Sequence, residues 1–278
     1  MKRISFLLMV LMLTSFAFGQ KKEKLKGSRN VTIEQKEIGA FENLEVEDNL
    51  DIFLTKGDKC ELEIEADDNI HDAIMISENG GTLRLSVAND VYGYKKLSVK
   101  ITYTDDFKML LAKDDANVTA LTDMKLDNFT FKTFGSSKIF ATVRAKVFML
   151  ISNDKSKAEL NLTAENTTIE MNKTSQLKAL VSSPKMKFDM YQKALAAVEG
   201  DVIDLKLRVD NNTNFTGKNL AAKNAEIISE GNANTSINVT TYVTMELSGK
   251  SEIELYGDQK IQILKFTDSA LLRKRPLK

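Results

Sequence analysis

Ala116-Asn117-Val118-Thr119-Ala120 returns 21 residues later as Ser137-Lys138-Ile139-Phe140-Ala141, and this return decides how the chain is read. With Val118 and Ile139 as anchors, the pattern continues at Leu160, Leu177, Leu195, Phe215, Ile237 and Ile253. The spacings are 21, 21, 17, 18, 20, 22 and 16 residues, a mean close to 19. Two positions after each anchor stands an apolar or small residue, from Ala120 to Leu255, so each unit carries an in-out-in strand. Two positions before stand Ala116, Ser137, Ala158, Ser175, Thr213, Thr235 and Ser251, with Lys193 the exception. A bend stacked on identical bends admits only small side chains.

About ten residues further on, each unit shows a second apolar pair. These are Phe129/Phe131, Val147/Met149, Ile169/Met171, Met186/Phe188, Leu205/Leu207, Ala225/Ile227, Val243/Met245 and Ile261/Ile263. Two short strands cannot bury a face by themselves, but stacked repeats bury one against the next. The pattern predicts an all-β fold, a parallel β-solenoid of about eight coils over residues 110–264, right-handed by the crossover rule. Its strands lie about 4.8 Å apart.

Outward from the repeats, residues 38–109 alternate with period two. Leu50, Ile52 and Leu54 share one face, as do Leu83, Leu85 and Val87, and then Leu97, Val99, Ile101 and Tyr103. Turns fall at Lys56-Gly57-Asp58, Glu78 to Gly81 and Tyr92-Gly93-Tyr94, and Asp67 to Ile76 leaves room for one short helical turn. These strands are expected to extend or cap one end of the solenoid, and the last residues to cap the other. Residues 20–37 form a basic segment with the first strand, and residues 265–278 a basic tail.

Met1 to Gly19 has the pattern of a secretory signal: Lys2 and Arg3, an apolar run from Ile4 to Phe18, and Ala17-Phe18-Gly19 before cleavage. Gln20, not cysteine, follows, so no lipid anchor is expected. The mature chain carries no stretch long and apolar enough to be a transmembrane helix. Its expected location is the periplasm, the outer-membrane surface or the extracellular space. Without the signal the net charge is −2, with +4 in Gln20–Asn30, +4 in Lys265–Lys278 and −10 in the body between. Both basic ends are read as solvated, and the acidic body argues against nucleic acid as a partner. The ten Asn-x-Ser/Thr sequons are read as residues of bends and outward strand positions.

Chemistry is scarce. One histidine, His71, and one cysteine, Cys60, leave no multi-histidine zinc site and no internal disulfide. Cys60 shares parity with Leu62 and Ile64 and is read as an inert core thiol. Asp67-Asp68, Asp105-Asp106 and Asp114-Asp115 sit at turns, where aspartate belongs. Three positions before the anchors only Asp115 is acidic, and Glu254 is the one carboxylate between the paired strand residues, so paired carboxylates for glycan cleavage are missing. No catalytic, cofactor-binding or metal-binding residue is assigned, and no cofactor is expected.

Phe41-Glu42-Asn43-Leu44-Glu45-Val46, Leu50-Asp51-Ile52-Phe53-Leu54-Thr55-Lys56-Gly57 and Leu62-Glu63-Ile64-Glu65-Ala66-Asp67-Asp68-Asn69-Ile70 resemble the putative auto-transporter adhesin head GIN domain family. Gly81-Thr82-Leu83-Arg84-Leu85 and Val99-Lys100-Ile101-Thr102-Tyr103 continue the likeness. Leu247-Ser248-Gly249-Lys250-Ser251-Glu252-Ile253-Glu254-Leu255-Tyr256-Gly257 is similar to the family's Ser-Gly-x-Ser repeat. The resemblance spans about residues 38–265. The Gly-x-Ser corner stands as Gly135-Ser136-Ser137 but gives way to Lys157-Ala158 and Thr174-Ser175 in the middle coils. It implies a secreted or cell-surface β-solenoid, called an adhesin, without established catalytic residues. The function expected is a non-enzymatic binding module for a surface glycan or protein. The alternatives are a pectinase-like polysaccharide-degrading enzyme and an extracytoplasmic lipid-binding protein.

Overall fold

The computed structural model describes residues 22–277, so the signal segment read at Met1 to Gly19 lies outside the described residues. Nine strands precede the regular coils: β1 (Lys24–Lys26), β2 (Val31–Lys36), β3 (Asn43–Val46), β4 (Asp51–Lys56), β5 (Glu61–Asp67), β6 (Ile74–Asn79), β7 (Thr82–Val87), β8 (Asp90–Tyr92) and β9 (Leu97–Tyr103). The expected helical turn is a single 3-10 turn at His71–Ala73. Next come β10 (Met109–Ala112), β11 (Asn117–Ala120) and β12 (Met124–Thr133). Six long strands then each travel once around the ladder: β13 (Lys138–Ser152), β14 (Lys157–Met171), β15 (Gln176–Met190), β16 (Leu195–Val209), β17 (Asn214–Ser229) and β18 (Asn234–Leu247). The chain closes with β19 (Glu252–Tyr256), β20 (Lys260–Phe266) and β21 (Leu271–Lys274).

From β10 onward every neighbouring pair is parallel, and the whole is a parallel β-solenoid of about nine turns, close to the eight expected. The two strands expected per repeat are one bent strand in the middle coils. The bend is a doublet of adjacent outward residues, such as Glu165-Asn166 or Pro184-Lys185, where the pairing skips a residue or two and then resumes in the same register.

The register corrects the phase read from sequence. The true column is Val118, Ile139, Ala158, Leu177, Ala196, Phe215, Thr235 and Ile253. Leu160 and Ile237 lie two residues off it, and Leu195 faces solvent, 44% exposed. Likewise Phe148/Leu150, not Val147/Met149, stack on Phe129/Phe131, and Thr167/Ile169 follow. A search for large apolar anchors skips the alanines, whereas the interior alternates in size. Ala158 lies under Leu177, Leu177 under Ala196 and Ala196 under Phe215, and the next inward column alternates out of step as Ala141, Leu160 and Ala179. Large side chains therefore fill the space that small ones leave on the neighbouring rung. At Gly217 the space belongs to Phe215, whose ring a Cβ would approach to 2.5 Å.

With the phase corrected, the small corner column is unbroken: Ala116, Ser137, Ser156, Ser175, Ala194, Thr213, Ala233 and Ser251, all fully buried. Beside it runs a column of left-handed residues, including Asp154 (φ 61°), Lys173 (φ 58°) and Gln192 (φ 65°). Residues other than glycine hold this conformation because each turn is bonded to the one before. The Lys193 N–H donates to the Lys173 carbonyl at 2.8 Å, and Asn212 to Gln192 at 2.7 Å.

The N-terminal strands join the same ladder out of sequence order. β3 pairs with both β7 and β10, and β4 with both β9 and β11, so the first rung in the chain lies second in space. Below it, β5 adds antiparallel to β9 and β2 antiparallel to β5, and β6 adds antiparallel to β7. The inward positions of β2, set by its pairing with Ala66, Ile64 and Leu62, carry Thr32, Glu34 and Lys36. Polar inward residues on an edge strand close that end against further pairing.

The C-terminal segment, read as a solvated tail whose last residues cap the solenoid, forms two strands over the last coil. Leu271–Lys274 is a strand on β19, with Arg273 paired to Glu252 and Arg275 to Glu254. β20 stacks on β18, yet every residue of it is exposed.

Candidate functional site

On the outer surface of the second half of each coil, the bends stack into a groove of about 650 Å³. One wall is the second residue of each doublet, Asn166, Lys185, Asp204, Asn224 and Tyr242 on successive rungs. The floor is the next outward column, Thr168, Lys187, Lys206, Glu226 and Thr244. Strand alternation aims both columns at solvent, while Met186, Leu205 and Ala225 between them enter the core.

The groove mixes charge and amide along its length. Asn224 Nδ2 donates to Asp204 Oδ1 at 2.9 Å, Lys206 Nζ lies 3.1 Å from Glu226, and Lys187 Nζ lies 2.8 Å from Asp189. The hydrogen bond that Lys187 donates to Asp189, and then the Asp189 charge, raise the Lys187 ammonium above the ordinary lysine value, so it stays cationic. Tyr242 presents a partly exposed ring, and its hydroxyl bonds Gln262. Two groove carboxylates, Asp204 and Glu226, are thus engaged by Asn224 and Lys206. Sequence reasoning missed this groove because the misphased anchors scattered its residues. Read at the true register, the wall column is entirely polar from Asn166 to Tyr242.

Other residues singled out from sequence are structural. His71 joins the N-terminal cap, with Nε2 2.9 Å from Thr32 Oγ1 and Nδ1 3.2 Å from Glu34 Oε2. The Lys36 hydrogen bond, then the Lys36 and His71 charges, hold Glu34 below the ordinary glutamate value against the opposing effect of burial. Cys60 is half-buried and packs against the core. Asp67 is fully buried and accepts backbone N–H groups from Arg29, Lys95 and Lys96 at 2.7, 3.0 and 3.1 Å. Asp68 accepts from Asn30, Asp105 pairs with Lys56, and Asp114 takes the left-handed corner. At the true register the column beside that corner reads Asp115, Ser136, Lys155, Thr174, Lys193, Asn212, Asn232 and Lys250, still with one acid. Elsewhere the outward columns carry more carboxylates than Glu254, among them Glu159, Glu199 and Glu226. Among the described residues no cluster of three histidine, cysteine or carboxylate side chains is placed to hold a metal ion. No helix among them is long and apolar enough to cross a membrane.

Comparison with known proteins follows the architecture. The chain is similar to a putative adhesin from Parabacteroides merdae, at 16% identity and TM-score 0.68, covering 92% of this chain and 100% of that one. A putative adhesin from Parabacteroides distasonis gives 15% identity and TM-score 0.66, covering 91% of this chain and 100% of the other. A putative lipid binding protein from the same organism gives 14% and 0.63, with the same coverages. At these identities the likeness shows the fold. No curated protein matches the chain. The family described as "Putative auto-transporter adhesin, head GIN domain" matches residues 40–180 and 156–258, most of the chain, and the chain belongs to that family.

Proposed function

We propose that the protein is an exported, non-enzymatic binding module that holds a surface glycan or protein in the groove of stacked bends, with a glycan the better fit. The observation that carries this reading is the groove itself. Amide, hydroxyl and ammonium groups repeat there at the rung spacing, beside the ring of Tyr242. A polymer of hydroxyl-rich units offers donors and acceptors along its length, and an aromatic face packs against the apolar side of a sugar ring. Family membership among adhesins supports binding over catalysis, and Asp204 and Glu226 are held by partners within the groove. The lipid reading has less to use, because the inward columns are filled by Phe, Leu, Ile and Met side chains.

A glycan and cell-surface binding screen on the purified chain, repeated with Lys185→Ala and Tyr242→Ala, tests this. Saturable binding weakened tenfold or more by either substitution is expected, and no binding across the screen overturns it. Turnover of uronic-acid polymers, with or without calcium, would replace it with the enzymatic reading.

A further inference from the structure

The two ends of the solenoid are built differently. At the N-terminal end the ladder through β4, β9 and β5 ends in β2, whose inward side chains are Thr32, Glu34 and Lys36, and the ladder through β3 and β7 ends in β6. At the C-terminal end one ladder stops at β21 and the other at β20, and the inward positions of β20 are apolar. Ile261 stacks on Val243, Ile263 on Met245 and Phe266 on Leu247, and each of those lower residues is fully buried. Ile261, Ile263 and Phe266 are instead 43%, 45% and 50% exposed, with Leu264 beside them at 59%. β20 pairs with β18 on one side only, so among the described residues its other row of N–H and C=O groups is unpaired.

We propose that this end is a docking edge for an extended segment of another polypeptide, aliphatic on one face and acidic on the other, which adds to β20 as the next rung. Main-chain hydrogen bonds along an open edge, with side chains alternating into pockets, are a known mode of peptide capture. The acidic face follows from how this ladder places charge. Several neighbouring rungs set opposite charges against one another, as in Glu159–Lys178, Lys206–Glu226 and Glu252–Arg273, although Lys187 lies on Lys206. The final coil, Asp258 to Arg275, carries five basic and two acidic residues, with Lys260 and Lys265 on β20 itself. An acidic outward face on the next rung complements Lys260 and Lys265.

The same features disfavour other occupants. A second copy docked end to end places this basic coil over itself. A bilayer would take the unpaired backbone of β20 into hydrocarbon, where those groups find no partner. The site lies on the inward face and free edge of β20, adjoins the groove only through the Tyr242–Gln262 hydrogen bond, and stands without it.

The test uses the intact protein and a fluorescent, end-blocked peptide of about ten residues alternating isoleucine with glutamate. Fluorescence polarisation should show saturable binding. A tenfold or greater loss is expected for Ile263→Lys, for Lys265→Glu, for a lysine-for-glutamate peptide, and for a peptide N-methylated at alternate residues. Thermal melting of each variant verifies that it is folded, and unchanged glycan binding by Ile263→Lys separates this site from the groove. Failure of the peptide to saturate at millimolar concentration overturns the proposal, as does equal binding of the N-methylated peptide. A dimer in sedimentation that Ile263→Lys abolishes, or flotation with anionic vesicles that it abolishes, overturns it in favour of a second copy or a membrane.

Discussion

Asp67 shows how one side chain closes the irregular part of this molecule. Burial works to raise its carboxyl value, but N–H donors from Arg29, Lys96 and Lys95 outweigh it and hold Asp67 below the ordinary aspartate value near 3.8. Those donors belong to the segment entering β2 and to the loop entering β9, so the carboxylate ties both to β5. Removing it strands buried N–H groups, and Asp67→Ala should lower stability by about 3 kcal/mol in urea denaturation. The folded value lies below the unfolded one, so this stability is complete above about pH 5 and drains away as pH falls through the folded value. Acid titration of the unfolding midpoint should therefore fall less steeply for Asp67→Ala than for the parent chain; parallel curves would refute the role. The signal for Asp67 was present as an aspartate pair at a turn, but nothing local reveals that Asp67 is buried while Asp68 is at the surface. That depends on where Arg29 returns.

Among the strands, the instructive feature is size alternation. Period two was legible from Val31 to Tyr103 and from Val118 to Ile263, and it located nearly every strand. The phase between rungs was less legible, because Ala158 and Ala196 occupy the column while the larger Leu160 and Leu195 stand nearby. The alternation makes a specific prediction. Ala158→Leu overpacks the space under Leu177 and should cost about 1–3 kcal/mol. Adding Leu177→Ala restores the summed volume, and the double variant should regain most of the loss in thermal unfolding. If the two costs simply add, the columns do not share space as the register implies.

For the whole molecule, stability is a sum of rung-to-rung contacts, and the ends have one neighbour instead of two. The N-terminal end gains an antiparallel cover from β2, β5 and β6, while β20 and β21 are open. Native-state hydrogen exchange should therefore show the amides of β14 to β16 most protected, β3 to β5 close behind, and β20 and β21 opening first. Equal protection of β20 and β15 would contradict an unfilled C-terminal end.

By itself the amino-acid order determined the period, the strands, the stacking and the poverty of catalytic groups, because alternation and repeat length are local and survive without knowledge of neighbours. Only the tertiary structure decided which residues share a column, that the rung of β3 and β4 sits between two others, and that the polar doublets line up as a groove. Those are relations between positions about 19 or more residues apart, set by how large and small side chains settle against each other when the coils close.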